Sequence, residues 1–216
     1  MDAQKLLQLR KDVFLERCKI QIFTEYIYHG SPKTGLQEIL QAEEIIAPNH
    51  GELGIPLFST STDDRIPGIF SEGDKSWLTF WVENLPILCL DNFHYSLTSC
   101  DGMWWDHINE HPEDEELAEL LGYYKGAPEL EGVELEELFP EGTLAIGLPG
   151  WEKPYESQMK ESEIAFTQEG CNYLWNKIEM ITLDGKELNF AEGRKILRNQ
   201  QGQQPPRLAL GLQKCG

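Results

Sequence analysis

The sequence predicts an α+β domain of mainly antiparallel strands with peripheral helices. Two observations carry that expectation. Apolar residues recur at helical spacing near the two ends and in short internal stretches, while much of the remaining chain consists of short β-rich runs punctuated by Gly, Pro and Asn. The 216 residues, 40% hydrophobic and 25% charged, have a globular composition and suffice to bury a core without disulfide or metal staples.

Taken in order, residues 2–18 set Leu6, Leu9 and Val13, with Leu7 and Phe14 beside them, on one face and predict an amphipathic helix. The period then changes. Ile20 and Ile22 alternate with polar neighbours and Tyr26-Ile27-Tyr28 leads into His29-Gly30, which predicts a strand over 19–29 with a bulge near Thr24-Glu25. Thr34-Gly35-Leu36-Gln37 has the form of a capping box, and Leu36, Ile39 and Leu40 extend it as a short helix to about Glu44. Pro48 and Gly51 break the chain before a short strand at 57–61. A polar loop over 63–75 precedes two β-like runs, 77–82 and 87–90, separated by Asn84-Leu85-Pro86. In the last third, 144–148, 163–167 and 178–183 read as strands with hairpin-like breaks, and Asn189 caps a final helix to about Arg198. One domain, 1–198, is expected, followed by a Gln-rich tail over 199–216 with the composition of a disordered segment.

Charge is the outlier. Lys and Arg number 18 against 37 Asp and Glu, a formal net charge of −19. This balance disfavours binding to phosphate backbones and anionic membranes, and leaves open a basic protein partner or a small substrate. Residues 110–141 hold 12 of the acids against the single base Lys125. The stretch from about 104 to 142 therefore reads as an insertion with an exposed acidic face. One helix, in which Leu117, Leu120, Leu121 and Tyr124 keep helical spacing, holds it to the body. The five cysteines, Cys18, Cys89, Cys100, Cys171 and Cys215, are scattered and form no C-x-x-C pair, as expected of reduced thiols in a cytoplasm. No apolar run approaches the ~20 residues of a membrane span, and the charged N-terminal stretch has no signal-peptide core.

Three motifs follow one another in a telling order: Tyr28-His29-Gly30-Ser31 at the end of the first strand, Phe58-Ser59-Thr60-Ser61-Thr62 after the next helix, and Glu161-Ser162-Glu163-Ile164-Ala165-Phe166 late in the chain. Their order and spacing resemble the ADP-ribosyltransferase superfamily, the fold of mono-ADP-ribosylating toxins and poly(ADP-ribose) polymerases, over roughly residues 20–185. The resemblance implies two packed, mainly antiparallel β-sheets with an NAD cleft between them. It also implies cleavage of NAD at the nicotinamide glycosidic bond and transfer of ADP-ribose. His29 is similar to the first-strand His of one branch. Ser59-Thr60-Ser61 and Glu161-x-Glu163 are similar to motifs of the branch that carries a first-strand Arg, where the first Glu goes with modification of arginine. The sequence is a hybrid of the two.

By that resemblance Glu163 is the catalytic carboxylate, assisted by Glu161 and Ser59. Its charge suits a reaction with a neutral leaving group and an oxocarbenium-like transition state. His29, Gly30, Ser31, Thr60, Ser61 and Phe70 are the implied NAD contacts. His29 would bond the adenosine ribose, and the main chain of Gly30 would pair with the nicotinamide amide. Phe70 and Trp77 flank the loop where the family places nicotinamide-contacting aromatics. Trp151 and Tyr155 fall where it carries an acceptor-recognition loop. NAD is the implied cosubstrate, with no metal.

One further motif competes. His107-Ile108-Asn109-Glu110-His111 fits the H-x-x-E-H zinc pattern, but that pattern needs a continuous helix, and Pro112 disfavours helical geometry at His111. Pro112 is instead expected to open the next helix. The expected function is thus a mono-ADP-ribosyltransferase, in the cytoplasm or delivered into a target cell. Its acceptor is a protein with a basic surface in preference to nucleic acid, and no membrane is involved. The alternative is a non-enzymatic acidic protein whose 110–141 region occupies a basic surface of a partner.

Overall fold

The computed structural model describes residues 3–48, 55–62, 75–91, 94, 108–121, 123–124, 127–130, 135–148 and 163–201. Helix α1 (Ala3–Glu16) leads into β1 (Lys19–Gly30), α2 (Lys33–Ala42), β2 (Phe58–Ser61) and β3 (Trp77–Cys89). A 3-10 turn (Pro112–Asp114) and α3 (Glu115–Leu121) follow, then a small hairpin of β4 (Tyr123–Tyr124) and β5 (Ala127–Leu130), and α4 (Leu135–Leu138). The chain returns through β6 (Ala145–Gly147), β7 (Glu163–Phe166), α5 (Gln168–Trp175), β8 (Ile178–Leu183), β9 (Lys186–Asn189) and α6 (Phe190–Gln201).

Seven strands form one sheet in the order β1-β2-β7-β6-β3-β8-β9, and β1 also pairs with β3. The strands β1-β2-β7-β6-β3 therefore close into a five-stranded barrel. The two separate sheets expected from the sequence are joined, because β1 and β3 are long enough to pair over nearly their whole length. Among the described residues every pairing is antiparallel except β3 with β6. A parallel pair requires a crossover connection, and the chain between Cys89 and Ala145, which includes the acidic stretch, is that connection.

Period-2 alternation sorts the strand residues into two cores. Ile87, Ala145 and Ile164 join Ile27, Phe58, Leu78, Phe80 and Phe166, packed with Leu36 and Leu40 of α2, Leu174 of α5 and Leu197 of α6. Their neighbours in the chain, Leu88, Ile146 and Ala165, join the other core with Phe14 of α1, Leu121 of α3, and Leu138 and Phe139. The acidic region is anchored through Leu121, as expected, and through Ala118, which was not among the expected residues, with Leu117 packed against the same core, while Glu113, Glu115, Glu116 and Glu119 remain exposed. Arg17 ties it to the body, bonding Asp91 at 2.8 Å and Asp114 at 3.1 Å. Tyr124, expected on that helix, lies in β4.

Several local expectations are corrected. The runs 77–82 and 87–90 are one strand. Asn84 takes φ 53°, a left-handed conformation that Asn tolerates. Glu83 and Asn84 together stand opposite Thr24, so the bulge sits in β3 rather than in β1. The Asn84 N–H donates to Thr24 Oγ1 at 2.9 Å. The capping box at Thr34 does not form. Pro32 occupies the cap position with no side-chain bond, and its carbonyl accepts from the Leu36 N–H at 3.1 Å, so Thr34 is already helical. Between β7 and β8 the expected hairpin break is a helix. Thr167 Oγ1 caps it by accepting from the Gly170 N–H at 3.1 Å, and Gly170 sits where any Cβ would overlap the Leu144 carbonyl oxygen. Strand β9 was also not anticipated. It returns on β8 through Asp184 and Gly185, both at positive φ, a two-residue hairpin turn.

Other expectations are met. Asn189 Oδ1 accepts from the Glu192 N–H at 3.0 Å, capping α6 as expected. That helix continues to Gln201, so the first residues of the expected tail are helical, while 202–216 lie outside the described residues. Pro112 opens the 3-10 turn, and His111 before it is non-helical at φ −128°. Cys18, Cys89 and Cys171 are free thiols; Cys100 and Cys215 lie outside the described residues. Burial pushes the Cys18 and Cys171 thiols up to about 12. Among the described residues no helix is long and apolar enough to cross a membrane.

Candidate functional site

The described residues of the three motifs lie on or at the end of laterally adjacent strands. Tyr28 of β1 stands opposite Ser61 of β2. Ser61 stands opposite Glu163 of β7. Residues 33 and 102 positions apart thereby form one row across the sheet, at the C-terminal ends of β1 and β2 and the N-terminal end of β7. Residues directly opposite each other project to one face, so Tyr28, Ser61 and Glu163 share a face, and Ser59, two residues before Ser61, shares it as well. Glu163 and Ser59 are half-buried, and Ser61 is buried.

His29 takes the other parity. Its ring lies on Phe58, centroids 4.1 Å apart, and its Nδ1 is 2.8 Å from the Ser59 carbonyl oxygen. A carbonyl can only accept, so Nδ1 must carry the proton, which leaves Nε2 of a neutral ring as an acceptor. The residue keeps some exposed surface, yet its ring is closely surrounded. That desolvation lowers the pKa from 6.5 to about 4, against an opposing upward pull from the bond to Ser59. The ring is therefore neutral at pH 7. The ring's one donor is spent on Ser59, so a bond to a ribose hydroxyl would have to be accepted at Nε2.

Thr60 is also corrected. Implied as an NAD contact, it is 4% exposed, and its hydroxyl donates to the Ile164 carbonyl at 2.8 Å. It clamps β2 to β7 and so holds Ser61 against Glu163. Gly30 ends β1 opposite Trp77, and Ser31 follows, its N–H bonded to the Ser76 carbonyl at 3.3 Å. Both stand at the same strand end as His29. Glu161, Phe70, Trp151, Tyr155 and His107 lie outside the described residues. Among the described residues no group of three or more His, Cys, Asp or Glu side chains could hold a metal ion.

Two residues were missed. Tyr28 is the one in line with Ser61 and Glu163, and Phe58 is the floor beneath His29. Strand parity was the signal for both, since a strand ending at Gly30 alternates Tyr28 and His29 between faces. A cavity of about 380 Å³ lies at the far end of the same strands, lined by Leu57, Phe139, Thr143 and Thr167 with Glu136, Glu141 and Glu169 at its rim. It does not reach the Ser61–Glu163 row. No family model, curated protein or solved structure matches the chain, so the reading of this site rests on its own geometry.

Proposed function

We propose that the protein is a mono-ADP-ribosyltransferase that takes NAD as cosubstrate and carries an ADP-ribosyltransferase-like fold. The observation that supports this most is that Ser59, Ser61 and Glu163 share one face of two neighbouring strands, with His29 and Gly30 at the end of the strand beside them, although long stretches of chain separate them. In this reading Glu163 stabilises positive charge developing on the ribose as the neutral nicotinamide departs. Ser59 and Ser61, on the same face, orient the carboxylate or a ribose hydroxyl. His29 accepts from an adenosine ribose hydroxyl at Nε2 and needs no charge to do so. The main chain of Gly30 offers its N–H and C=O to the nicotinamide amide. Glu161, Phe70, Trp151 and Tyr155 keep the roles the resemblance implies, with the last two facing the acceptor.

A protein acceptor with a basic surface suits a chain of net charge −19. The exposed carboxylates of α3 and the turn before it favour a second reading, a non-enzymatic protein that occupies a basic partner. One experiment separates the two. The chain is incubated with labelled NAD and a cell lysate, and nicotinamide release and label transfer are measured for wild type and Glu163→Gln. Release by wild type and its loss in the variant support the transferase. Binding of basic proteins with no NAD turnover by either form supports the second reading.

A further inference from the structure

Among the described residues the first half of β1 is paired on one side only. Residues 19–23 and Glu25 have register partners on β3. On its other side, among the described residues, β1 has one partner position, Tyr28 opposite Ser61. The Ser31 N–H bonds the Ser76 carbonyl, continuing the register that sets His29 opposite Leu78. Amide direction alternates along a strand. Odd-numbered residues of β1 therefore turn their N–H and C=O toward β3, and Ile20, Ile22, Thr24 and Tyr26 turn theirs to the open side. The same even-numbered residues share a side-chain face, on which Ile20 and Ile22 are 69% and 65% exposed. Proteins blunt such edges with charge, proline or a bulge. Here Pro86 and the bulge at Glu83-Asn84 both lie in β3, away from the open edge.

We propose that this edge pairs with the same edge of a second copy of the chain, antiparallel about a two-fold axis at Ile22, so that the sheet runs on across a homodimer. The charge pattern selects this occupant. An axis at Ile22 sets Ile22 opposite Ile22, Ile20 opposite Thr24, and Lys19 opposite Glu25 of the second copy, the last two pairings occurring twice by symmetry. Moving the axis to Gln21 or Phe23 keeps the amides in phase but separates Lys19 from Glu25. Residues 19–25 carry one base and one acid, neutral within a chain of net charge −19, so a strongly basic partner finds its complement on α3 instead. The proposal does not rest on the catalytic reading, since the Ser61–Glu163 row lies beyond the open stretch.

Sedimentation equilibrium on the full chain tests it, from about 1 to about 100 μM and at about 150 mM salt, where the net charge is screened. Wild type should self-associate to a dimer. Lys19→Glu and Glu25→Lys, each placing two like-charged pairs across the axis, should raise the dimer Kd about 10-fold or more. The double exchange Lys19→Glu with Glu25→Lys should restore it. Ile22→Lys, which sets two ammonium groups opposite each other, should be monomeric throughout the range, with the far-UV circular dichroism of wild type confirming that it folds. A monomeric wild type overturns the proposal. So does a dimer that is indifferent to the single exchanges, is not restored by the double one, or survives Ile22→Lys.

Discussion

Acidification should remove stability that the setting of His29 provides. The folded protein holds this ring neutral among Phe58 and the Ser59 carbonyl, and its pKa falls from 6.5 to about 4 chiefly because burial penalises the charged form. As pH drops, the unfolded chain takes the proton first. The contribution is therefore complete above the unfolded pKa and is lost as pH falls through the folded one. At about 1.4 kcal/mol per pKa unit the shift corresponds to about 3 kcal/mol, and the part of the residue that stays in water reduces this to about 2 kcal/mol. Buried His94, whose ring lies against Phe14 with Nε2 2.9 Å from the Phe14 carbonyl oxygen, is shifted in the same direction by burial and adds to the wild-type loss. The variant His29→Asn isolates the first effect, because Asn retains an N–H for Ser59 but does not titrate. Urea unfolding of both proteins between neutral pH and about pH 4 should show wild type losing about 2 kcal/mol more than the variant. A constant difference between the two curves, or an NMR titration placing His29 near its ordinary 6.5, would refute the reasoning.

Glu163→Gln should lower nicotinamide release about 100-fold or more while leaving the urea midpoint nearly unchanged; full turnover by the variant removes Glu163 from the chemistry. Gly170→Ala drives a methyl group into the Leu144 carbonyl oxygen and should cost about 3 kcal/mol in chemical unfolding, whereas a loss near zero would mean that α5 does not sit so close to the start of β6. Thr60→Val removes the buried hydroxyl that donates to the Ile164 carbonyl and should cost about 1 kcal/mol, with a larger effect on the affinity for NAD than the unfolding curve alone accounts for. Glu116→Gln combined with Glu119→Gln, both exposed on α3, should change stability by no more than about 0.5 kcal/mol and leave NAD hydrolysis intact, while weakening any salt-sensitive contact with a basic protein.

Much of the chain could be read locally. Strand β1 announces itself because Ile20, Ile22 and the aromatic run to Tyr28 alternate or branch at Cβ, and α6 because Asn189 can cap it. Where reading failed, a distant partner had overruled a local signal. Asn84-Leu85-Pro86 has turn chemistry, yet β1 pairs on both sides of it and absorbs the extra residue as a bulge. The stretch between 163–167 and 178–183 reads as a hairpin-like break, yet it is a helix, and Gly170 is there because α5 lies against Leu144. Thr34 had the right spacing for a cap, yet Pro32, already extended at ψ 148°, starts the helix earlier.

The sequence by itself determined the alternation of β and helical periods, the acidic stretch, and the residue types of the three motifs, since these follow from local spacing and composition. Tertiary structure alone decided which of those residues meet. Strand parity and register placed Tyr28 rather than His29 in line with Ser61 and Glu163, and turned Thr60 inward as a clamp. The joining of β1 to β3, which closes five strands into a barrel and, among the described residues, leaves Ile22 without a partner strand on its other side, likewise depends on contacts some 60 residues apart. Side-chain period is a property of one strand, but register is a property of two, and a one-residue slip sends every side chain to the opposite face.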